Sequence, residues 1–215
     1  MNLELVTIAI IMANVLPSLK GFEDHYFLEK YMFKVGAIKN GEQIRMLTSG
    51  FLHADTMHLL FNMLTLYFFA NTVIYELGAG NFVFIYLASL LFGSLLSYYF
   101  HKENLYYRAL GASGAVSGIL FAAILLAPHR DLYVMFFPIG VKGYIVAIFY
   151  LVFSIYGMKK QLGNIGHDAH FGGAAAGYII TLVLKPSILQ EETFIVILMA
   201  LPIIALFVLM KLGKI

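Results

Sequence analysis

From Phe82 to Phe100 the chain reads FVFIYLASLLFGSLLSYYF, nineteen residues without a charge. That length matches the roughly 20 residues an α-helix needs to cross a hydrocarbon core of about 30 Å. A strand here would leave its backbone N–H and C=O groups unpaired in lipid, so the run reads as a helix. Outward from it lie six more apolar runs: Leu3 to Leu19 and Met57 to Tyr75 before it, then Ala112 to Ala127, Gly143 to Tyr156, Ala169 to Leu184 and Phe194 to Met210. The fold class expected is an all-α integral membrane protein, a polytopic helical bundle. The fourth and fifth runs fall short of spanning length, which points to helices that begin below the membrane surface at a water-filled cavity.

Composition agrees. Of 215 residues, 61% are hydrophobic and 12% charged, with a mean hydropathy of +0.85, far from the usage of soluble domains. The length holds six or seven helices and short loops in a single transmembrane domain, residues 1–215. A net charge of +2, spread along the chain, argues neither for nucleic acid nor for an acidic substrate, and no nucleic-acid partner is expected. With no cysteine, disulfides and thiolate metal sites are excluded. The first run carries Glu4 at its start and has neither a basic lead nor a small-residue cleavage site, so it reads as a retained helix.

The longest connection, Lys20 to Thr56, mixes aromatic and charged residues and reads as a partly helical loop dipping into the interface. Leu132 to Gly140 is apolar but too short to span, and Pro138 and Gly140 break it; an interfacial loop is expected there. No internal repeat is visible, which weakens the case for an inverted-repeat transporter.

Polar groups inside spans are costly and need a reason. His58 and Asn62 stand at i, i+4, one turn apart on one helix face, where both could donate to one oxygen. Ser113 heads a short helix in Gly111-Ala112-Ser113-Gly114, flanked by residues small enough for a substrate backbone to approach. His170 opens a helix whose next turns, Phe171-Gly172-Gly173-Ala174-Ala175-Ala176-Gly177, carry almost no side chain. Taken singly, each has a plain structural reading: a serine bonded to its own helix, interhelical glue, a close-packing glycine face. Jointly they say more. Gly114 and Gly118 make a second small-residue face, so the serine and histidine helices can pack closely enough to bring imidazole to hydroxyl. Serine proteolysis needs a nucleophile, a base and donors aimed at the oxyanion. Ser113 and His170 fit the first two roles; His58, Asn62 and the Ser113 backbone N–H fit the third. Asp24, Asp55 and Asp131 lie in or beside other loops and Asp168 is only two residues from His170, so a dyad is expected.

These three segments, in this order and spacing, resemble the signature segments of the rhomboid intramembrane proteases, and Arg45-Met46-Leu47-Thr48-Ser49-Gly50-Phe51-Leu52-His53 looks like that family's lead-in to its second helix. The resemblance covers about Ile44 to Leu184. It implies a six-helix core, here about 1–186, and cleavage of single-span membrane substrates near the outer face by the serine and histidine at these positions. The seventh run, about 193–211, would be the extra C-terminal helix of some members. Neither a cofactor nor a metal is implied, the partners are transmembrane substrates and the lipid bilayer, and a bacterial cell inner membrane is the expected location.

The chain departs from the family pattern in places. Ile44 replaces a frequent Trp before Arg45, which predicts a looser anchoring of the first loop. Ser117 stands where an aromatic often stacks on the base, so the imidazole must be oriented from elsewhere. Ile74 and Asn81 align with a frequent Glu and Arg. With a cytoplasmic N-terminus, eleven Lys and Arg fall outside (Lys20, Lys30, Lys34, Lys39, Arg45, Lys102, Arg108, Lys159, Lys160, Lys211, Lys214) and three inside (Arg130, Lys142, Lys185), the reverse of the positive-inside rule.

Two other classes compete. A catalytically silent rhomboid-like protein that binds membrane helices for quality control typically lacks the serine or the histidine, and both are present here. A small-solute transporter is supported by helix count alone. There is no His-Glu-x-x-His for zinc, and no aspartates in two separate spans. Of the neighbouring histidines, His170 is taken as base because it precedes the glycine-rich turn. His167, among Asn164, Gly166 and Asp168, is expected in a solvated loop. A base must be neutral, so activity should fall as pH drops through the imidazole pKa, about 6.5 when unperturbed.

Overall fold

All seven apolar runs are helical in the computed structural model of the chain, which describes residues 3–133, 139–162 and 165–215. In order come α1 (Leu3–Glu23), α2 (His25–Tyr31), β1 (Phe33–Lys34), α3 (Val35–Lys39), α4 (Arg45–Thr48), α5 (Thr56–Leu77), α6 (Ala79–His101), β2 (Arg108–Ala109) and α7 (Ser113–Leu126). Then follow β3 (Asp131–Tyr133), β4 (Gly140–Lys142), α8 (Gly143–Lys160), α9 (His167–Leu184), α10 (Ile188–Glu191) and α11 (Thr193–Lys211). Five helices, α1, α5, α6, α8 and α11, are long and apolar enough to cross a membrane.

The fourth run is short, as expected: α7 has 14 residues. At about 1.5 Å per residue it is roughly 21 Å long, some 9 Å less than a typical hydrocarbon core. The fifth run is not short. It continues through Gly157, Met158, Lys159 and Lys160 to make an 18-residue helix, because these residues extend the helix beyond the apolar stretch that marked it. Gln161 closes it in the left-handed conformation at φ 50°.

Small residues decide which helices form the centre. In α7, eleven of fourteen residues are buried, against α5, α6 and α9. A Cβ at Gly173 would run into the carbonyl of Gly114, and one at Gly177 into that of Gly118. A Cβ at Gly93 of α6 would stand 2.7 Å from the Ala169 carbonyl oxygen, so three helices meet with backbone on backbone. Van der Waals contact at such seams is what drives helix association in lipid, where no hydrophobic effect helps. Outside this trio, α1 packs on α5, and α11 on α8.

The first connection is partly helical, as read from its composition. Arg45 fastens it: its guanidinium donates to the carbonyls of Glu29 (2.9 Å) and Met32 (3.0 Å) and pairs with Glu42 at 2.6 Å. The Ile44 side chain beside it is 63% exposed, while its carbonyl accepts from the Leu47 and Thr48 N–H groups. Two small sheets depart from the all-helical expectation. β1 pairs antiparallel with β2, Phe33 opposite Ala109, which ties the first connection to the segment leading into Ser113. β3 pairs antiparallel with β4, Leu132 opposite Val141, so Leu132 to Gly140 begins and ends in a hairpin's arms. Pro138 lies outside the described residues.

Cations divide between the two ends of the bundle as the sequence implied. Arg130, Lys142 and Lys185 sit at one end, paired with Thr72, Asp131 and Glu76. At the other end Glu29 holds both Lys34 and Arg108, and its carboxyl is kept below its ordinary pKa, chiefly by the hydrogen bond from Lys34.

Candidate active site

Gly111 has φ +129°, a conformation that favours glycine, and its N–H donates to the Ser49 carbonyl at 3.0 Å. This turn sets Ser113 as the first residue of α7, where backbone N–H groups have no acceptor within the helix. The Ser113 side chain is half-buried.

The ring of His58 lies against this turn. A Cβ on Gly111 would stand 2.6 Å from His58 Cε1 and 2.8 Å from Nε2, so only glycine admits the imidazole there. His58 is in the first turn of α5, whose start Asp55 caps by accepting the His58 N–H at 2.8 Å. One turn on, Asn62 is 7% exposed, and its Nδ2 donates to no acceptor among the described residues. A buried donor without a partner is costly.

Across the α7–α9 seam, the carbonyl oxygen of Ala169 would be 3.2 Å from a Cβ on Gly114. The residue before His170 thus touches the residue after Ser113. His170 is half-buried and its ring lies nearly parallel to that of Tyr150 on α8, with centroids 6.1 Å apart and 14° between planes. Gly114, Gly118, Gly173 and Gly177 lie along this seam, where an added Cβ would stand close to backbone of the facing helix.

His167 is not in a solvated loop. It opens α9, is 4% exposed, and fits where Gly157 of α8 has no side chain; a Cβ there would collide with the imidazole. Phe153 meets it edge-on at 5.5 Å and His170 at 6.4 Å. Asn164, one of the neighbours that suggested a loop, is outside the described residues. Asp168 pairs with His101 of α6, Nε2 to Oδ2 3.1 Å. No group of three or more metal-ligating side chains occurs among the described residues.

Against known proteins, the model of the rhomboid domain matches residues 40–187, a span that includes Arg45, His58, Asn62, Ser113 and His170. The chain belongs to the rhomboid family. Its rhomboid relatives include the RHOMBOID-like protein 12, mitochondrial, of Arabidopsis thaliana, 30% identical over 81% of this chain and 56% of the relative. Rhomboid protein 1, mitochondrial, of Saccharomyces cerevisiae is 31% identical over 77% of this chain and 49% of its own. The rhomboid protease GluP of Bacillus subtilis is 33% identical over 68% and 27%. The chain spans about half the length of the first two. It is a multi-pass membrane protein.

The rhomboid site holds groups that sequence reasoning left without a role. His53 is fully buried and links three segments: Nδ1 is 2.9 Å from Ser18 Oγ of α1, and Nε2 accepts the Ala112 N–H in a long contact of 3.4 Å. Because Nε2 accepts, the ring proton is on Nδ1 and Ser18 receives it, passing its own to the Phe51 carbonyl at 3.2 Å. Burial, and then the neighbouring His58, push the pKa of His53 down to about 3, so the ring stays neutral as this chain of bonds requires. The second missed group is Tyr150. The only sequence signal for it was the gap left by Ser117.

Proposed function

We propose that this chain is an intramembrane serine endopeptidase that cuts single-span membrane proteins through a dyad of Ser113 and His170. The observation that supports the reading is the seam of α7 on α9, where the Ala169 carbonyl meets Gly114; Ser113 and His170 are the neighbours of these two residues along their helices. Ser113 Oγ attacks the scissile carbonyl and its proton passes to His170. The oxyanion then accepts hydrogen bonds from His58, the Asn62 amide and the Ser113 N–H. His170 returns the proton to the leaving amine, and water completes hydrolysis of the acyl-enzyme by the same route. At 14 residues α7 is shorter than a full span, which supports a site that water reaches.

Substrate helices should carry small or helix-weakening residues near the cut, because a backbone held in α-helical bonds cannot extend into a site. The chain acts as one transmembrane domain, with a core to about residue 186 and α11 as an addition beside α8. A bacterial inner membrane is not supported by relatives with mitochondrial names, and the location is taken no further than a membrane. The silent-binder alternative gains nothing from a site that retains serine and histidine. The deciding experiment is a gel assay of one single-span substrate in detergent, wild type beside Ser113→Ala. Cleavage by wild type alone supports the reading; equal cleavage by both overturns it.

A further inference from the structure

We infer that Tyr150, reaching in from α8, is the positioning residue of the catalytic base; this rests on the protease reading for its kinetic arm. Two sets of contacts meet on this one side chain. Its ring lies parallel to His170 at 6.1 Å, and its hydroxyl is 2.5 Å from Ser117 Oγ. Ser117 is buried and also bonds the Ser113 carbonyl at 2.7 Å. A serine hydroxyl has one proton. If Ser117 gives it to Ser113, the Tyr150 proton must go to Ser117, and the bonds run in one direction from Tyr150 through Ser117 to the nucleophile's own residue.

The consequence is a clamp across three helices. One end of Tyr150 is fixed to the first turns of α7, and its face supports the imidazole on α9. Phe121 of α7, with its ring 5.7 Å away and tilted by 55°, also packs against the tyrosine. Ser117 is thus more than the absence of an aromatic on α7: a hydroxyl there is what anchors an aromatic supplied by α8. Acting through His170 and touching no substrate, Tyr150 should govern how well the base is aimed rather than how tightly substrate binds. Misplacement by about 1 Å can cost on the order of 100-fold in rate.

The test uses the full chain in detergent and compares wild type with Tyr150→Phe, Tyr150→Leu, Ser117→Ala and Ser113→Ala. Leucine keeps apolar volume without a ring face, which protects the fold. Tyr150→Leu is expected to lower kcat by roughly 10- to 100-fold with KM nearly unchanged. Tyr150→Phe and Ser117→Ala each break the same hydroxyl bond, so both should lose only a few-fold and their double variant no more than either alone. In parallel, the His170 ring proton resonances should carry an upfield ring-current shift that persists in Tyr150→Phe and vanishes in Tyr150→Leu. Wild-type kcat in Tyr150→Leu, or a phenylalanine variant as poor as leucine, overturns the inference. Cleavage that survives Ser113→Ala would remove the protease reading instead, and the resonance shift, which needs no catalysis, then decides the role of Tyr150: an unchanged His170 spectrum in Tyr150→Leu overturns it.

Discussion

His101, at the end of α6, stands with Nε2 3.1 Å from Oδ2 of Asp168 at the start of α9. The same imidazole lies flat on Tyr107, with centroids 3.5 Å apart and 5° between planes. Burial, reinforced by the Asp168 charge, raises the Tyr107 phenol above its ordinary pKa, so it stays protonated beside the carboxylate. Residues two apart on a helix do not share a face. Asp168 therefore pairs with His101, and the ring neighbours of His170 are Tyr150 and His167.

Replacement of Asp168 by Asn should accordingly lower stability, by on the order of 1–3 kcal/mol for a disturbed buried polar pair, while turnover per folded molecule falls little. Thermal unfolding and an active-site-titrated rate give the two numbers. A fall near the roughly 10⁴-fold associated with losing a triad aspartate would instead make Asp168 a third catalytic member.

Asn62→Ala separates ground state from transition state. Since the Asn62 amide nitrogen is buried without an acceptor among the described residues, its removal should cost the resting fold almost nothing. Turnover should fall by about 10²–10³, the usual effect of deleting one oxyanion donor. An unstable variant with an unchanged rate would make the amide structural.

Gly173→Ala and Gly177→Ala should lose stability and activity together, because each new methyl meets a carbonyl of α7 and no flexible side chain can yield. Gly80→Ala in α6 is the matched control. Nothing lies within 4 Å of its new Cβ, and the change should be neutral or stabilising by about 0.5–1 kcal/mol. Unfolding in detergent, with cleavage assayed on the same samples, distinguishes the two classes; a stable and active Gly173→Ala would show that the helices part easily there.

The neutral His53 makes stability depend on pH with a definite sign. Its folded pKa is depressed to about 3, whereas an unfolded histidine titrates near 6.5. The contribution is fully present above pH ~6.5 and is lost as pH falls from there toward 3, because the unfolded chain takes up the proton first. His53→Gln, which cannot charge, should show a flatter melting temperature against pH over that window. Parallel curves for the two proteins would count against this assignment.

Most of this architecture was legible because lipid leaves the backbone few options: each apolar run had to be a helix, and all seven are. What escaped lay in contacts between segments. The ring of His167 is buried because Gly157, ten residues earlier and on another helix, has no side chain to oppose it, and local polarity pointed the other way. Tyr150 was only one aromatic among many on α8, and its meaning depends on a hydroxyl at Ser117. His53 reaches back to Ser18 and forward to Ala112, distances along the chain at which no periodicity operates. The glycines of α7 and α9 were readable because close packing leaves its mark in composition. Their partners across the seam also had to be small.

The burial of eleven of the fourteen α7 residues has a consequence for how a cut is placed. The helix that carries Ser113 is sheathed by protein and has almost no surface on which acyl chains can act. Thickening or thinning of the bilayer would tilt or stretch the outer helices, yet the depth of Ser113 is fixed relative to its protein neighbours. If the proposed proteolysis is its activity, the molecule so built is a depth gauge with its zero mark inside the protein. A substrate is then measured against the protein frame, and the same peptide bond should be selected in membranes of different lipid length.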